Sequence, residues 1–541
     1  MSSTAQAIAA SGNDRLVLAV DLGTSGCKCA LIGMDGRVLA WTFRAVALHL
    51  VDELGVEQDP QDWWHAFLDG AQELLAADAR RRRQVVAVCC STFGECTIPV
   101  DGDGNALSRA MLWVDMRGAD AIRRRARSGR LNIQGYGPLK LARWLRLTGG
   151  APSLSGKDPA GHIAWLYDHQ PALVERTDKF LNALDFMNLR LTGRFCATHD
   201  SALTTWATDN RDLAQVRYDA RLLQMLGVAR DKLPELVRST DVIGPLLPAV
   251  AATLGLAPHT KVVAGAIDNS AAAIGAGTVR DRDLHLYLGT SSWLAAHVPH
   301  KRTNLNAFIA SLPCAQPDRY LAMAMQTTAC GNLSFLRDRI LFHADELLGD
   351  DQRMDVYPLL DRIADRVPAG SRGLIYMPWL LGERTPVDDR HLRAGLFNLS
   401  LEHTREDIIR AFLEGVALNT RWMLEPMLDF IGAERGGAMT IVGGGGQSDV
   451  WCQMIADVTG MTVQQPTAPI QANALGAAFI AGIGLGELAY RDVPALCQHR
   501  QRFEPRPGLR NLYDDAFATF KQLHRQLAPV YRRLNQHRSP R

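Results

Sequence analysis

The chain of 541 residues is 47% hydrophobic and 21% charged, with a net charge of +2, an ordinary globular composition with room for roughly two to four domains and no charge field that calls for nucleic acid. Its ten cysteines form no CxxC and no Cys/His spacing suited to zinc, which predicts reduced thiols and a cytoplasmic protein. No apolar run approaches the ~18 residues of a membrane span, and residues 1–14, rich in Ser and Ala, read as a disordered tail and not as a signal peptide.

In chain order, Leu16 to Asp21 and Cys27 to Ile32 read as strands flanking the turn Leu22-Gly23-Thr24-Ser25, and Asp35-Gly36 reverses the chain into a third strand, Val38 to Phe43. Pro60 to Ala77 carries apolar residues at helical spacing, and Val85 to Cys90 returns as a buried strand. The clusters Arg80 to Arg83 and Arg123 to Arg125 sit at or beside predicted helices and read as solvated faces. Residues 151–235 read as mostly helical. A second cycle opens at Lys261 to Gly265, passes Leu284 to Tyr287 and the turn Leu288-Gly289-Thr290-Ser291, and runs to a helix that Thr404 and Asp407 open as a capping box. Ile408, Ile409, Phe412, Leu413 and Val416 line one face of that helix. Met439 to Val442 then leads into Gly443-Gly444-Gly445-Gly446 and a helix from about Ser448, and Tyr513 to Leu534 reads as one amphipathic helix.

This alternation is α/β. The organisation it predicts is a tail over 1–14, an N-terminal domain over 15–258, a C-terminal domain over 259–505 and a helical tail over 506–541. With no low-complexity linker between them, the two domains are expected to share a broad interface around a cleft. The amphipathic tail permits a homodimer without requiring one.

The glycine turn is written twice, each time after an apolar strand and half a chain apart. Glycine lets backbone N–H groups approach an anion, and the adjacent Thr and Ser add neutral donors, so two facing copies would hold a polyphosphate from both sides. Asp21 ends the first strand directly before its turn. A carboxylate there would be repelled by phosphates unless a magnesium ion lay between them; otherwise it serves as a turn residue or a helix N-cap. Asp268 follows Val263 to Ile267 and precedes the small-residue run Ala271 to Gly277, a place for a general base toward a hydroxyl or for a helix cap. Trp113, Asp115 and, upstream, Glu95 suit a polyhydroxylated ligand, since the acids accept hydroxyl protons while the ring covers a C–H face; a packed Trp beside a surface ion pair is the plainer alternative.

Asp21 to Lys28, Trp113-Val114-Asp115-Met116-Arg117, the Gly265 to Gly277 stretch, Leu288 to Ser291 and the four glycines from Gly443 together resemble the FGGY carbohydrate kinases, in the family's order and at comparable intervals, from about Leu16 to Gly486. The pattern is nearest to xylulokinase-like members and more distant from glycerol kinases. The resemblance implies two ribonuclease-H-like, actin-like ATPase domains with a catalytic cleft between them, ATP and Mg2+ as cofactors, and a small-molecule sugar or polyol as substrate. Position by position it implies Asp268 as catalytic base, with Asn269 beside it at the substrate, and Asp21 as the magnesium-associated aspartate. It further implies Gly23, Thr24, Ser25, Lys28, Gly289, Thr290 and Ser291 around the phosphates, Gly444, Gly445 and Asn473 on the adenosine side, and Glu95, Trp113 and Asp115 at the sugar.

Departures from the family pattern fall on the substrate side. Phe93-Gly94-Glu95-Cys96 stands where xylulokinase-like sequences tend to carry Gln-Met-His-Gly, and Glu95 falls where glycerol kinases carry a polyol-binding glutamate. His162 replaces an expected Lys, Asn398 an expected Gly, and Phe412 a smaller residue. The expected activity is phosphorylation of a ketopentose such as xylulose. The competing expectations are a glycerol or polyol kinase, a catalytically silent nucleotide binder, and a chaperone-like ATPase.

Overall fold

The computed structural model describes residues 15–341 and 356–535; the expected tail over 1–14 lies outside them. Two β-sheets dominate. In the first, β1 (Leu16–Gly23), β2 (Gly26–Gly33) and β3 (Val38–Ala45) form an antiparallel meander. After helix α1 (Pro60–Ala76), β4 (Val85–Thr92) pairs in parallel with β1. Far along the chain, beyond helix α2 (Pro159–His169), come β5 (Val242–Pro245) and β6 (Lys261–Ile267), which complete the order β5-β6-β4-β1-β2-β3.

Helix α3 (Asp268–Gly275) leads out of this sheet into the second, which opens at β7 (Leu284–Leu288) and β8 (Ser292–Val298). There follow β9 (Thr303–Asn304), β10 (Ile309–Pro313), β11 (Tyr320–Gln326), the long helix α4 (Arg405–Ile431), β12 (Ala438–Val442), α5 (Asp449–Thr459), β13 (Thr462–Pro466), α6 (Ala472–Gly484), β14 (His499–Phe503) and α7 (Arg510–Asn535). Its order is β9-β10-β11-β8-β7-β12-β13-β14. The run β11-β8-β7-β12-β13-β14 repeats β3-β2-β1-β4-β6-β5 strand for strand: antiparallel, antiparallel, parallel, parallel, antiparallel. The duplication expected from the paired turns is therefore present in the sheets themselves.

One boundary differs from the sequence expectation. Lys261–Ile267, taken to open the second domain at 259, pairs with β4 in the first sheet, and the second sheet begins at Leu284. An apolar strand after a long mostly helical insertion looks the same in sequence whether it joins the preceding sheet or starts a new one. The segment 151–235 also contains short strands among its helices, including Lys179–Leu181 and Cys196–Thr198.

Strand β1 is buried on both faces, which explains its unbroken apolar run. Leu16, Leu18 and Val20 meet Trp63, Phe67 and Leu74 of α1, while Val17 and Ala19 meet Ala474, Ala477 and Ile480 of α6. The helix α6 thus comes from the second half of the chain but packs on the first sheet. Between the sheets α3 and α6 touch through backbone: a Cβ on Gly275 would overlap the Ala472 carbonyl oxygen, and one on Gly476 would overlap that of Ala271. The small-residue run permits this approach. The α4 capping box forms as expected between Thr404 and Asp407, and α7 lays Tyr513, Phe517, Phe520 and Leu523 into the second core. All ten cysteines are free thiols, and among the described residues no helix is long and apolar enough to cross a membrane.

Candidate active site

Asp268 is aimed by a bulge. The β4–β6 register shifts between Val263 and Ala266, and Gly265 takes φ +75°, with its Cα against the Cys90 carbonyl, where a side chain has no room. The displaced groups are satisfied: Ala264 and Gly265 donate to Asp241 and Ser239 carbonyls, and Asn188 Nδ2 donates to the Ala264 carbonyl at 2.8 Å. The buried Asp200 carboxylate accepts the Ile267 amide at 3.1 Å, fixing the residue before Asp268.

Asp268 begins α3. Its Oδ1 accepts the Asn269 amide at 2.8 Å, the capping contact weighed in the sequence, and Oδ2 has no hydrogen-bond partner among the described residues. The carboxyl is raised to about 7, first by burial, then by the negative charges of Asp21, Glu95 and Asp200. Asp21, Glu95 and Asp200 thus lie within electrostatic range of Asp268.

Asp21 stands at the end of β1 with Oδ2 3.1 Å from Lys28 Nζ and Oδ1 accepting Asn473 Nδ2 at 3.1 Å. Lys28 also donates to the Ile470 carbonyl at 2.7 Å. Asn473, expected on the adenosine side, thus reaches Asp21 with its side-chain amide. Its Oδ1 is buried without a partner, as a group awaiting a ligand would be.

The first loop, Gly23 to Gly26, is braced from behind. Gln58 Nε2 donates to the Thr24 carbonyl at 2.8 Å while Gln58 Oε1 accepts Trp63 Nε1 at 3.0 Å. Trp113 Nε1 donates to Thr24 Oγ1 at 3.0 Å, so this ring touches the first loop directly. In the second loop, the Gly289 and Thr290 carbonyls are tied down by the amides of Ala329, Cys330 and Gly331. Among the described residues, no hydrogen bond uses the amides of Thr24, Ser25, Thr290 or Ser291. Each bend thus offers two free N–H donors. Tyr287, stacked on Trp293 with centroids 3.9 Å apart, lies within the fields of both Asp21 and Asp268, so the strand leading to the second loop comes within electrostatic range of both carboxylates.

In the glycine run, Gly443 has φ +90° and lies against the Leu288 backbone, and Gly445 is buried against the Leu288 side chain and Cys330. Gly444 is exposed with open space where a Cβ would stand. Of the two glycines expected on the adenosine side, Gly444 faces the open surface and Gly445 serves the packing beneath it.

At the sugar end, Glu95 is half-buried, in the left-handed region at φ +60°, and held from both sides by Phe93 N to Leu22 O (2.9 Å) and Cys96 N to Asn182 Oδ1 (2.9 Å). Strain of this kind concentrates at functional sites. Burial raises its carboxyl, against the pull of Arg384 and Lys157. Asp115 is a correction to the sequence expectation. Its side chain has no exposure, and its oxygens accept from the Val56 amide and from the backbone and guanidinium of Arg117, which also pairs with Glu57. A carboxylate this enclosed has no face for a sugar; it anchors the strand and loop that carry Trp113.

The pattern departures also have local explanations. His162 is fully buried between Thr97 Oγ1 and the Asp115 carbonyl, each 3.3 Å away, and burial lowers it to about 4, so it is neutral. Asn398 takes φ +70°, the region where Gly is favoured and Asn tolerated, and donates to the Gly373 carbonyl. Phe412 stacks on Tyr376 at 3.7 Å. Sequence reasoning missed Gln58, Asp200, Tyr287, Lys157 and Arg384. Asp200, Lys157 and Arg384 carried a signal only in their charge, and nothing in the sequence placed them near the site.

Residues 16–275 match the N-terminal domain of the FGGY family of carbohydrate kinases, and residues 284–485 match its C-terminal domain. A xylulose kinase from Escherichia coli is 28% identical over 95% of this chain and 100% of its own length. A gluconokinase from Bacillus subtilis is 24% identical over 87% of this chain and 88% of its own. The crystal structure of a xylulose kinase from Rhodospirillum rubrum superposes with a TM-score of 0.79 at 26% identity, covering 96% of this chain and 100% of that one.

Proposed function

The chain belongs to the FGGY family of carbohydrate kinases, phosphotransferases for which ATP is the phosphate donor, and we propose that it phosphorylates a hydroxyl of a ketopentose such as xylulose, with Asp268 as the base. The observation that supports this reading is Asp268 itself: a carboxyl with one free oxygen, raised to about 7 by burial and lying within the fields of Asp21 and Glu95.

The residues fit the expected cofactors. Asp21, Asp268 and Glu95 gather negative charge that a divalent cation would neutralise, and the free amides of the two glycine bends suit phosphate oxygens. Bound at Asp21, magnesium would offset charge on the transferred group. No group of three or more acidic, His or Cys side chains among the described residues forms a cation cage, so Asp21 would be the main protein ligand and phosphate and water would supply the rest.

In the mechanism, the free oxygen of Asp268 accepts the proton of the attacking hydroxyl, and the Asn269 amide on its other oxygen holds the carboxylate in place. The amides of Thr24, Ser25, Thr290 and Ser291 are fixed before substrate arrives, so they stabilise charge without reorganisation. Trp113, held on Thr24, connects the sugar end to the first phosphate bend. Closing the cleft around the α3–α6 contact would exclude water and suppress ATP hydrolysis.

A polyol kinase is the second reading, favoured by Glu95 as an acceptor of hydroxyl protons. Measuring ADP release against pentuloses, hexuloses, sugar acids, erythritol and glycerol separates the two. Sugar-dependent release highest with a ketopentose supports the first; highest release with glycerol or erythritol replaces it with the second.

A further inference from the structure

Two helices of the first half of the chain grip the strand that leads to Asp268. Asn188, in the helix Ala183–Thr192, donates to the Ala264 carbonyl at 2.8 Å, and Asp200, in the helix His199–Leu203, accepts the Ile267 amide at 3.1 Å. These contacts stand on either side of the bulge at Gly265 and Ala266. The two helices are also tied to each other: Ser201 Oγ donates to Asp185 Oδ1 at 2.8 Å, and Asn182 Nδ2 donates to Thr204 Oγ1 at 3.0 Å. Asp185, Asn188, Asp200 and Ser201 are all buried.

Asp200 is the member of this clamp nearest the base. Its Oδ2 takes the Ile267 amide, while Oδ1 accepts the Ser201 amide at 3.0 Å and the Thr198 hydroxyl at 2.5 Å. Each oxygen therefore receives a backbone N–H. An ionised carboxylate accepts at both ends, whereas an asparagine of the same shape carries a donor at one of them. That donor would face either the Ile267 amide or the Ser201 amide, and one contact would be lost. Burial pushes the Asp200 carboxyl up, against the donors from Thr198, Ile267 and Ser201. Capping of the short helix does not account for the charge, because Thr198 Oγ1 already accepts the Ser201 amide at the N-cap.

The consequence falls on Asp268. Ile267 ends β6 and Asp268 begins α3, so holding the Ile267 peptide sets the direction in which the base leaves the backbone. A catalytic group displaced by about 1 Å loses about 100-fold in rate. The same helix, His199–Leu203, packs against β10 of the second sheet as well as β6, so the clamp stands where the two halves of the chain meet.

We propose that Asp200 is a positioning residue for phosphoryl transfer: through the Ile267 amide it aims the Asp268 carboxylate at the attacking hydroxyl. The proposal rests on the sugar-kinase reading with Asp268 as base and adds the group that orients it.

The test compares sugar-dependent ADP release by wild type, Asp200→Asn, Asp268→Asn and the double variant, using the acceptor with the highest kcat/KM in the panel above. Sugar and ATP binding are followed by calorimetry, and kcat/KM is recorded against pH. In Asp200→Asn, kcat should fall about 10- to 100-fold, with both dissociation constants within about twofold of wild type. Its pH midpoint should move to lower pH by about 0.5 or more, because the charge removed has the same sign as Asp268. A residue that served folding alone would lower the melting midpoint and leave the pH midpoint in place. In the Asp268→Asn background the second substitution should cost no further activity, since Asp200 acts through Asp268. Where Asp200→Asn does not fold, Thr198→Val takes its place: it removes one hydroxyl donor, leaves both amide contacts, and should lower kcat about threefold with binding unchanged.

Unchanged kcat and pH midpoint in folded Asp200→Asn, losses that add in the double variant, or unaltered kcat in Thr198→Val used in its place would overturn the assignment. Absence of sugar-dependent ADP release by wild type with every acceptor, or full activity of Asp268→Asn, would instead reject the reading beneath it.

Discussion

Asn473 donates its side-chain amide to Asp21 Oδ1 at 3.1 Å, joining residues 452 positions apart. One contact ties the start of helix α6 to the end of strand β1, so the residue nearest the proposed magnesium is positioned by the far end of the fold. A hydrogen bond to a charged group contributes about 1.5–3 kcal/mol. Asn473→Ala should therefore raise the KM for magnesium-ATP roughly tenfold while leaving the KM for sugar unaltered. Titration calorimetry with the nucleotide checks this; unchanged nucleotide affinity would contradict it.

The α3–α6 crossing predicts the most damaging small substitution. A side chain at Gly476 would enter the backbone of Ala271, which cannot rotate away as a flexible side chain could. Gly476→Val should cost at least about 3 kcal/mol and lower the melting midpoint. An unshifted denaturant midpoint would show that the two helices are free to separate.

Asp268 makes opposite predictions for activity and stability. As a base it must be ionised, so kcat/KM should rise with pH through about 7. Its folded pKa is raised above the ordinary 3.8, so the folded state holds a proton that the unfolded chain has released. This contribution to stability is complete below about pH 4 and is lost as pH climbs through 7. Asp268→Asn should remove that dependence and be more stable than wild type at pH 8, by about 1–3 kcal/mol. Urea melts at pH 6 and 8 measure it, and a variant less stable at pH 8 would refute the assignment of burial as the dominant cause.

Asp115 separates structure from recognition. Removing it leaves Arg117, itself largely buried, with only Glu57 as an ionic partner. Breaking a buried pair costs about 3–5 kcal/mol, so Asp115→Ala should unfold at markedly lower denaturant. A variant as stable as wild type but with a raised sugar KM would restore the direct contact expected from sequence.

The fold was legible wherever local pattern and tertiary role coincide. The double glycine bend, the capping box at Thr404 and the apolar period of Tyr513 to Leu534 each record their own environment. The allegiance of β6 to the first sheet was not legible, because an apolar strand does not name its neighbour. At the site, Asp21 stood out because it lies near the end of a strand before a glycine turn, and Asp268 because it follows a strand and opens a small-residue helix. The contact of Asn473 with Asp21 was not legible, because the two residues lie 452 positions apart. Asp115 misled because a carboxylate beside Trp113 suits a sugar and a buried arginine equally well.

The most direct measurement is ADP release with and without xylulose by wild type and by Asp268→Asn, with sugar binding followed by calorimetry in both. The account predicts release that depends on sugar in wild type and falls about 100- to 10,000-fold in the variant, with sugar still bound. Turnover by Asp268→Asn at the wild-type rate, or wild-type ATP hydrolysis indifferent to any sugar, would contradict it.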